Sequence, residues 1–287
     1  MTLPPGFTVG HWTDPVAMTG CTVILCEGGA TAGVHIGGGA PATIQTDVIG
    51  PASATAILHA VLLTGGSAFG LAAYTGVMKF LEEKGVGVAV RNWRVPHVAG
   101  AVIFDLMAGD GTVRPDATAG YAACRMATRE PAEGLVGAGT GATAAKMSGG
   151  SRPGGLGVVS VRAGAATVTA VMVVNARGDI WDGERNEWVY QSEALGLTPW
   201  SDNTTIGAVL TDAKLDRDAT RRVAMTAHDG LARAVRPAHT DRDGDTIFAM
   251  AAGPVEVDPF IVQRAAAEAV ERAIVRATRS ASGTMKP

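Results

Sequence analysis

Two apolar runs, GLGVVSVRAG and ATVTAVMVVN, follow one another between Gly155 and Asn175 and meet at a Gly-Ala-Ala turn. β-Branched residues dominate both, so they read as a paired set of strands. Further strands are expected at Thr22–Glu27, in the following AGVHIGGG segment, at Val86–Val90, at Ala101–Leu106 and at Thr204–Asp212. Helices are expected at Ala52–Leu63, at Ser67–Lys84 with Ser67 as its cap and Gly85 after its end, and at Pro115–Arg129. Asp216–Val235 reads as a helix with Arg221, Arg222 and Arg233 facing out. Pro259–Arg279 carries the clearest helical signature: Asp258 precedes it as a cap, Pro259 takes the first position, and Ile261, Ala265, Ala269, Ile274 and Ala277 make an apolar stripe. Strands and helices interleave without strict alternation, and neither a linker nor a repeat divides the chain. One α/β domain spanning 1–287, with layered sheets and outer helices, is the fold class these patterns imply.

Charged residues make up 18% of the chain against 47% hydrophobic. Globular chains average about 25% charged, so this one hides much of its surface or shares it with copies of itself. The net charge of −3 and the absence of a basic block argue against nucleic acid as a partner. The three cysteines, Cys21, Cys26 and Cys124, show no CxxC spacing, which fits a reduced cytoplasmic protein. No secretory signal and no membrane span are read in the sequence. The six histidines (His11, His35, His59, His97, His228 and His239) show no metal-binding spacing, and no G-x-S-x-G elbow is present. Neither a metal nor a cofactor is expected.

Three places carry candidate chemistry. The glycine-rich VGAGTGATAAKMSGG, Val136–Gly150, matches G-x-G-x-x-A at Gly137, Gly139 and Ala142. It lacks a long preceding strand and an acidic residue about 20 positions on, so close backbone packing is the better reading than nucleotide binding. Within it, Lys146 is the one lysine between Lys84 and Lys214. It reads either as a snorkelling surface residue or as a partly desolvated ammonium beside a nucleophile. Asn175 ends a buried strand and must find partners, either as a local turn residue or as an amide N–H aimed at developing negative charge.

The third place is RPAHTDRDGDTIFAM, Arg236–Met250. An acidic, flexible turn, Asp243-Gly244-Asp245, abuts Thr246 and a buried-looking strand. If the chain broke before Thr246, that residue would carry a free α-amine with a pKa of roughly 7.7–8.0. The amine can act as general base for the hydroxyl of the same residue. Composition alone leaves open an ordinary loop-to-strand junction.

The chain resembles the self-processing N-terminal-nucleophile hydrolases that include the L-aminopeptidase/D-esterase, the β-aminopeptidases and the nylon-oligomer hydrolase. The matching pieces, in order, are LTGGSAFGL, GVMKFLEEKGVG, AVIFDL, GAGTGATAAKM, GGLG, VMVVNARGD, TTIGAVLTDA, AHDGLARAVRPAHT and DGDTIFAMA. The resemblance implies a four-layer αββα sandwich, and a precursor that cuts itself between Asp245 and Thr246 into fragments 1–245 and 246–287. It implies Thr246 as nucleophile, Asn175 as the oxyanion or orienting amide and Lys146 as the lysine of the nylon-hydrolase branch, which is the closer likeness. The implied substrates are small amides or short peptides, and the implied assembly is a cytoplasmic homo-oligomer, commonly a tetramer. The aminopeptidase branch has a tyrosine where this chain has Phe104, and no acid follows the last helix, where Ser282 is the loosely matching residue. The related ornithine acetyltransferases imply an acyltransferase as the alternative, and an inactive oligomeric scaffold is the other class left open.

Overall fold

In the computed structural model, which describes residues 2–193 and 203–283, nine strands are hydrogen-bonded edge to edge. They are β1 (Thr8–Asp14), β2 (Thr19–Ile36), β3 (Thr43–Ile44), β4 (Ile57–Thr64), β5 (Val98–Val102), β6 (Leu156–Ala163), β7 (Ala166–Asn175), β8 (Thr204–Ala213) and β9 (Thr246–Val255). Their order is β6-β7-β8-β9-β2-β4-β5-β3, with β1 paired to β2. The helices are α1 (Ala73–Glu83), α2 (Ala117–Arg125), α3 (Arg217–Ala234) and α4 (Pro259–Ala281).

The alternation of side chains resolves this hydrogen-bonded path into two stacked sheets. β2 is the hinge: its first half pairs with β1 and β4, its second half with β9, and the register slips between Leu25 and Ala30. Val171 and Val173 of β7, Ile206 and Leu210 of β8, and Phe248 and Met250 of β9 face Ile24, Val61, Leu63 and Ala101 of the other half in one buried core. The intervening residues, such as Met172, Val209 and Ile247, face α3 and α4 through Val223, Leu231, Val262 and Ile274. On the far side, Val23, Ala60 and Leu62 face α1 and α2 through Val77, Leu81 and Ala123. Helix, sheet, sheet and helix therefore form an αββα sandwich. The central core depends on its large members. Phe248 is fully buried, and Phe248→Ala is expected to lower unfolding free energy by about 3–5 kcal/mol in a urea titration.

Most expected elements are present with shifted ends. The strand pair turns at Gly164 and Ala165, and Ala163 pairs with Ala166. Asp216 caps α3 by accepting from Ala219 N, and Asp258 caps α4 by accepting from Phe260 N. Three readings need correction. Ala52–Leu63 is not a helix: Ile57–Thr64 is a strand held between β2 and β5. A short unbroken apolar run has no period to separate helix from strand, and burial on both faces selects the strand. The Thr22–Glu27 and AGVHIGGG segments form one strand with an irregularity at its middle, so two strands are not found there. Ser67 is not a side-chain cap; it takes a left-handed backbone (φ 52°) at the start of a 3-10 turn that leads into α1.

Candidate active site

β9 is a central strand, and Thr246 is its first residue, opposite Ile206 of β8 and Ile36 of β2. By strand alternation Thr246 faces inward with Phe248 and Met250, whereas Asp245 faces outward, toward α3. Thr246 is fully buried, and its Oγ1 donates to Gly244 O at 2.9 Å. The hydroxyl is thus folded back on the turn that precedes it.

That turn lies flat against Gly37-Gly38-Gly39. Gly37 N donates to Asp245 O at 2.9 Å, Ala40 N to Asp243 O at 2.9 Å, and Gly39 N to Thr240 O at 3.0 Å. A Cβ on Gly38 would lie 2.0 Å from Asp243 O, so only glycine allows the approach. The Asp245 carboxylate is anchored on the other side. Its Oδ1 accepts from Thr205 N at 2.8 Å, and its Oδ2 accepts from His239 N at 3.0 Å and contacts His239 Nδ1 at 2.8 Å. Asp243 accepts from Thr240 N at 3.0 Å and from Thr240 Oγ1. Burial, and then the neighbouring Asp245 charge, push the Asp243 carboxyl upward. The side-chain atoms Asn203 Nδ2 and Oδ1 and Thr205 Oγ1, on either side of Thr204, are buried without partners among the described residues. Such orphans cost roughly 1–3 kcal/mol each, a cost that collects at the root of this turn.

The inner face holds the other two predicted residues. Asn175 ends β7 opposite Thr204 of β8 and is fully buried. Its Oδ1 accepts from Thr143 N and from Lys146 Nζ, both at 3.0 Å, and its Nδ2 donates to Phe104 O at 3.2 Å. Lys146 is 8% exposed, so it is no snorkelling surface residue. Asn175 shares the parity of Val173, which places it on the same face and at the same end of the sheet as Thr246, with β8 between them. Phe104 contributes only its backbone carbonyl to this cluster.

Other expectations sort by packing. The turn at Gly137–Gly139 presses on β1 and β2, with Gly137 N donating to Thr13 Oγ1 and Ala138 N to Thr22 Oγ1, as the close-packing reading requires. Ser282 lies beyond the end of α4, donates to Arg279 O at 3.1 Å, and lines a cavity of about 500 Å³ with Arg152, Pro153 and Tyr190. A second cavity, of about 210 Å³, runs along α4 between Asp182, Glu271 and Arg276. Thr246 lines neither. Among the described residues no cluster of three or more His, Cys, Asp or Glu side chains has the form of a metal site. Sequence reasoning missed Gly37, Thr205, His228 and His239. Gly37 and Thr205 act through backbone N–H groups, which every non-proline residue carries, so their residue types do not reveal this role. His228 and His239 are 11 positions apart and meet only through the fold.

A model described as Peptidase family S58 matches residues 4–286. An uncharacterized aminopeptidase of Mycobacterium tuberculosis is 42% identical across 88% of this chain and 81% of its own length. A 6-aminohexanoate-oligomer endohydrolase of Kocuria sp. is 31% identical across 88% of this chain and 75% of its own. Among solved structures, the L-aminopeptidase D-Ala-esterase/amidase of Ochrobactrum anthropi, described as a variant of the N-terminal-nucleophile hydrolase fold, superposes with a TM-score of 0.74. It covers 96% of this chain and 86% of that one at 20% identity, which shows a shared fold. No helix among the described residues is long and apolar enough to cross a membrane.

Proposed function

Because the chain belongs to peptidase family S58 and is a hydrolase of peptide or linear amide bonds, we propose that Thr246 is its nucleophile, freed by cleavage of its own Asp245–Thr246 bond. One observation carries this reading. The Thr246 hydroxyl opens a central strand beside a carbonyl, Asp245 O, that already accepts Gly37 N–H, and it shares a face with the Lys146–Asn175 pair. In the first step Thr246 Oγ attacks the Asp245 carbonyl carbon. Negative charge develops on Asp245 O, where the Gly37 N–H is a ready oxyanion donor. Collapse breaks the C–N bond, the hydroxyl proton passes to the departing nitrogen, and an ester links Asp245 to Thr246 Oγ. Water then cleaves the ester, giving fragments 1–245 and 246–287; the last four residues of the second lie outside the described ones.

In the mature form the new α-amine takes the proton from Oγ as the hydroxyl attacks a small amide or short peptide. The acyl group rests on Thr246 until water removes it. Water as acceptor, rather than the amine an acyltransferase would use, accords with relatives named as an aminopeptidase and an endohydrolase. Asn175 serves as the oxyanion or orienting amide. Lys146, hydrogen-bonded to Asn175, supplies a fixed positive charge near the acyl group. A reducing, cytoplasmic setting is supported by Cys21, Cys26 and Cys124, all buried and free, whose thiols burial pushes up, to about 11 for Cys26 and about 12 for Cys124. A homotetramer is the assembly we propose, and exposed Trp93, Phe69, Met107 and Phe260 provide apolar surface for it. Mass spectrometry of purified protein is the direct test: two fragments are expected, and a single chain of 29.2 kDa in active material would refute the reading.

A further inference from the structure

A row of polar groups crosses the α3 side of the turn, and its two histidines have no part in the reaction steps described above. Asp245 Oδ2 meets His239 Nδ1 at 2.8 Å, His239 Nε2 meets His228 Nδ1 at 3.2 Å, and His228 Nε2 meets His35 O at 3.0 Å. Both ends of the row, a carboxylate and a backbone carbonyl, are acceptors. Three contacts between them need three protons, whereas two neutral imidazoles bring two. The third proton makes one ring an imidazolium. The row also backs onto the residue that holds the scissile carbonyl: a Cβ on Gly37 would lie 2.9 Å from His228 Nδ1 and 3.0 Å from His239 Nδ1.

We infer that His239, as an imidazolium braced by His228, is a positioning residue for self-cleavage: it clamps the Asp245 carboxylate and makes processing depend on pH. This inference rests on the self-cleavage reading. The physical reason is local charge. The oxyanion of the first step forms on the carbonyl of Asp245 itself, beside that residue's own carboxylate and the buried Asp243. Two anionic groups oppose the new charge, and the imidazolium offsets them. The same clamp keeps the Asp245 carbonyl seated on Gly37 N–H.

The groups facing His239 are His228 from α3, His35 from β2, and Asp243 and Asp245 from its own loop, while Arg221 of α3 acts on His35. Burial opposes charge on His239, but the hydrogen bond and charge of Asp245 outweigh it, and the net direction is upward. Burial and the His239 charge take His228 down to about 4, and burial leads the lowering of His35. His239 is therefore the ring that holds the proton. With its folded value above the ordinary 6.5, the clamp is complete below that pH and is lost as pH rises through the folded value.

The test uses full-length chain from cell-free translation, diluted into buffers from about pH 5.5 to 9 and followed by gel for loss of the intact chain. The ratio of wild-type to His239→Gln cleavage rates removes the pH dependence of Thr246 itself. This ratio is expected to be about 10- to 100-fold on the acid side and to decline toward unity on the alkaline side. A ratio near one throughout, or a large ratio indifferent to pH, overturns the inference. Should His239→Gln fail to fold, wild type alone decides: an alkaline fall in rate supports the clamp, and a rate that climbs steadily to the alkaline end refutes it. If wild type never cleaves, or Thr246→Ala still does, the self-cleavage reading fails and this inference with it.

Discussion

Thr246→Ala is expected to remain a single chain of 287 residues and to have no measurable amide-hydrolase activity. The substitution removes one oxygen, and with it the attacking atom of both proposed reactions. Without Oγ the Asp245–Thr246 bond has no internal nucleophile, so no α-amine is released and the turn stays packed over the site. Losing a nucleophile in a covalent mechanism costs on the order of 10⁶ in kcat. Here the loss is compounded because the general base is never generated. Stability should change little by comparison: Oγ1 makes one hydrogen bond, to Gly244 O, and such a bond contributes about 1 kcal/mol net. An intact, folded, inactive protein is thus the expected phenotype, read by intact mass, circular dichroism and turnover of a chromogenic amino-acid amide. Fragments of the original sizes in this variant would eliminate Thr246 as the cutting residue.

Asn175→Ala carries the second-largest expected effect. Asn175 links Lys146 Nζ and Thr143 N, from one segment, to Phe104 O, from another. Its removal deletes the proposed orienting amide and takes one acceptor from a buried ammonium. Loss of one preorganised oxyanion donor lowers kcat by about 10²–10³. Loss of the Oδ1 acceptor to Lys146 Nζ and Thr143 N adds a structural penalty of about 1–3 kcal/mol. The two effects separate experimentally: kcat should fall on variant protein that has already been processed, while the melting temperature reports the packing loss. If processed Asn175→Ala turned over substrate at the wild-type rate, Asn175 would be a structural strut and nothing more.

The legible parts of this site were those whose residue type is itself the signal. A hydroxyl after Asp-Gly-Asp, an amide ending a buried strand and a lone lysine among small residues are each unusual enough to stand out. The Ala52–Leu63 segment was illegible for the opposite reason: HAVLLT has the same composition whether it lies in a helix or between two strands. Only its pairing with Cys21–Leu25 on one side and Val98–Val102 on the other selects the strand. Ser67 failed similarly, since a serine before a helix is a common cap, yet the backbone here turns left-handed and the carboxylate of Asp105 takes the Gly66 N–H instead.

The amino-acid order by itself determined the α/β character and the Asp258 cap of the last helix, and it singled out the side chains of Thr246, Asn175 and Lys146 as candidates. It did so because periodicity, capping and reactive groups are local properties. Only the tertiary structure decided that Gly37 donates to the Asp245 carbonyl and that His228 and His239 line up behind it. It also decided that Asn175 and Lys146 share the inner face with Thr246. Those relations join segments as many as 200 or so positions apart, and they arise because a two-residue side-chain period on paired strands sends alternate groups to opposite faces.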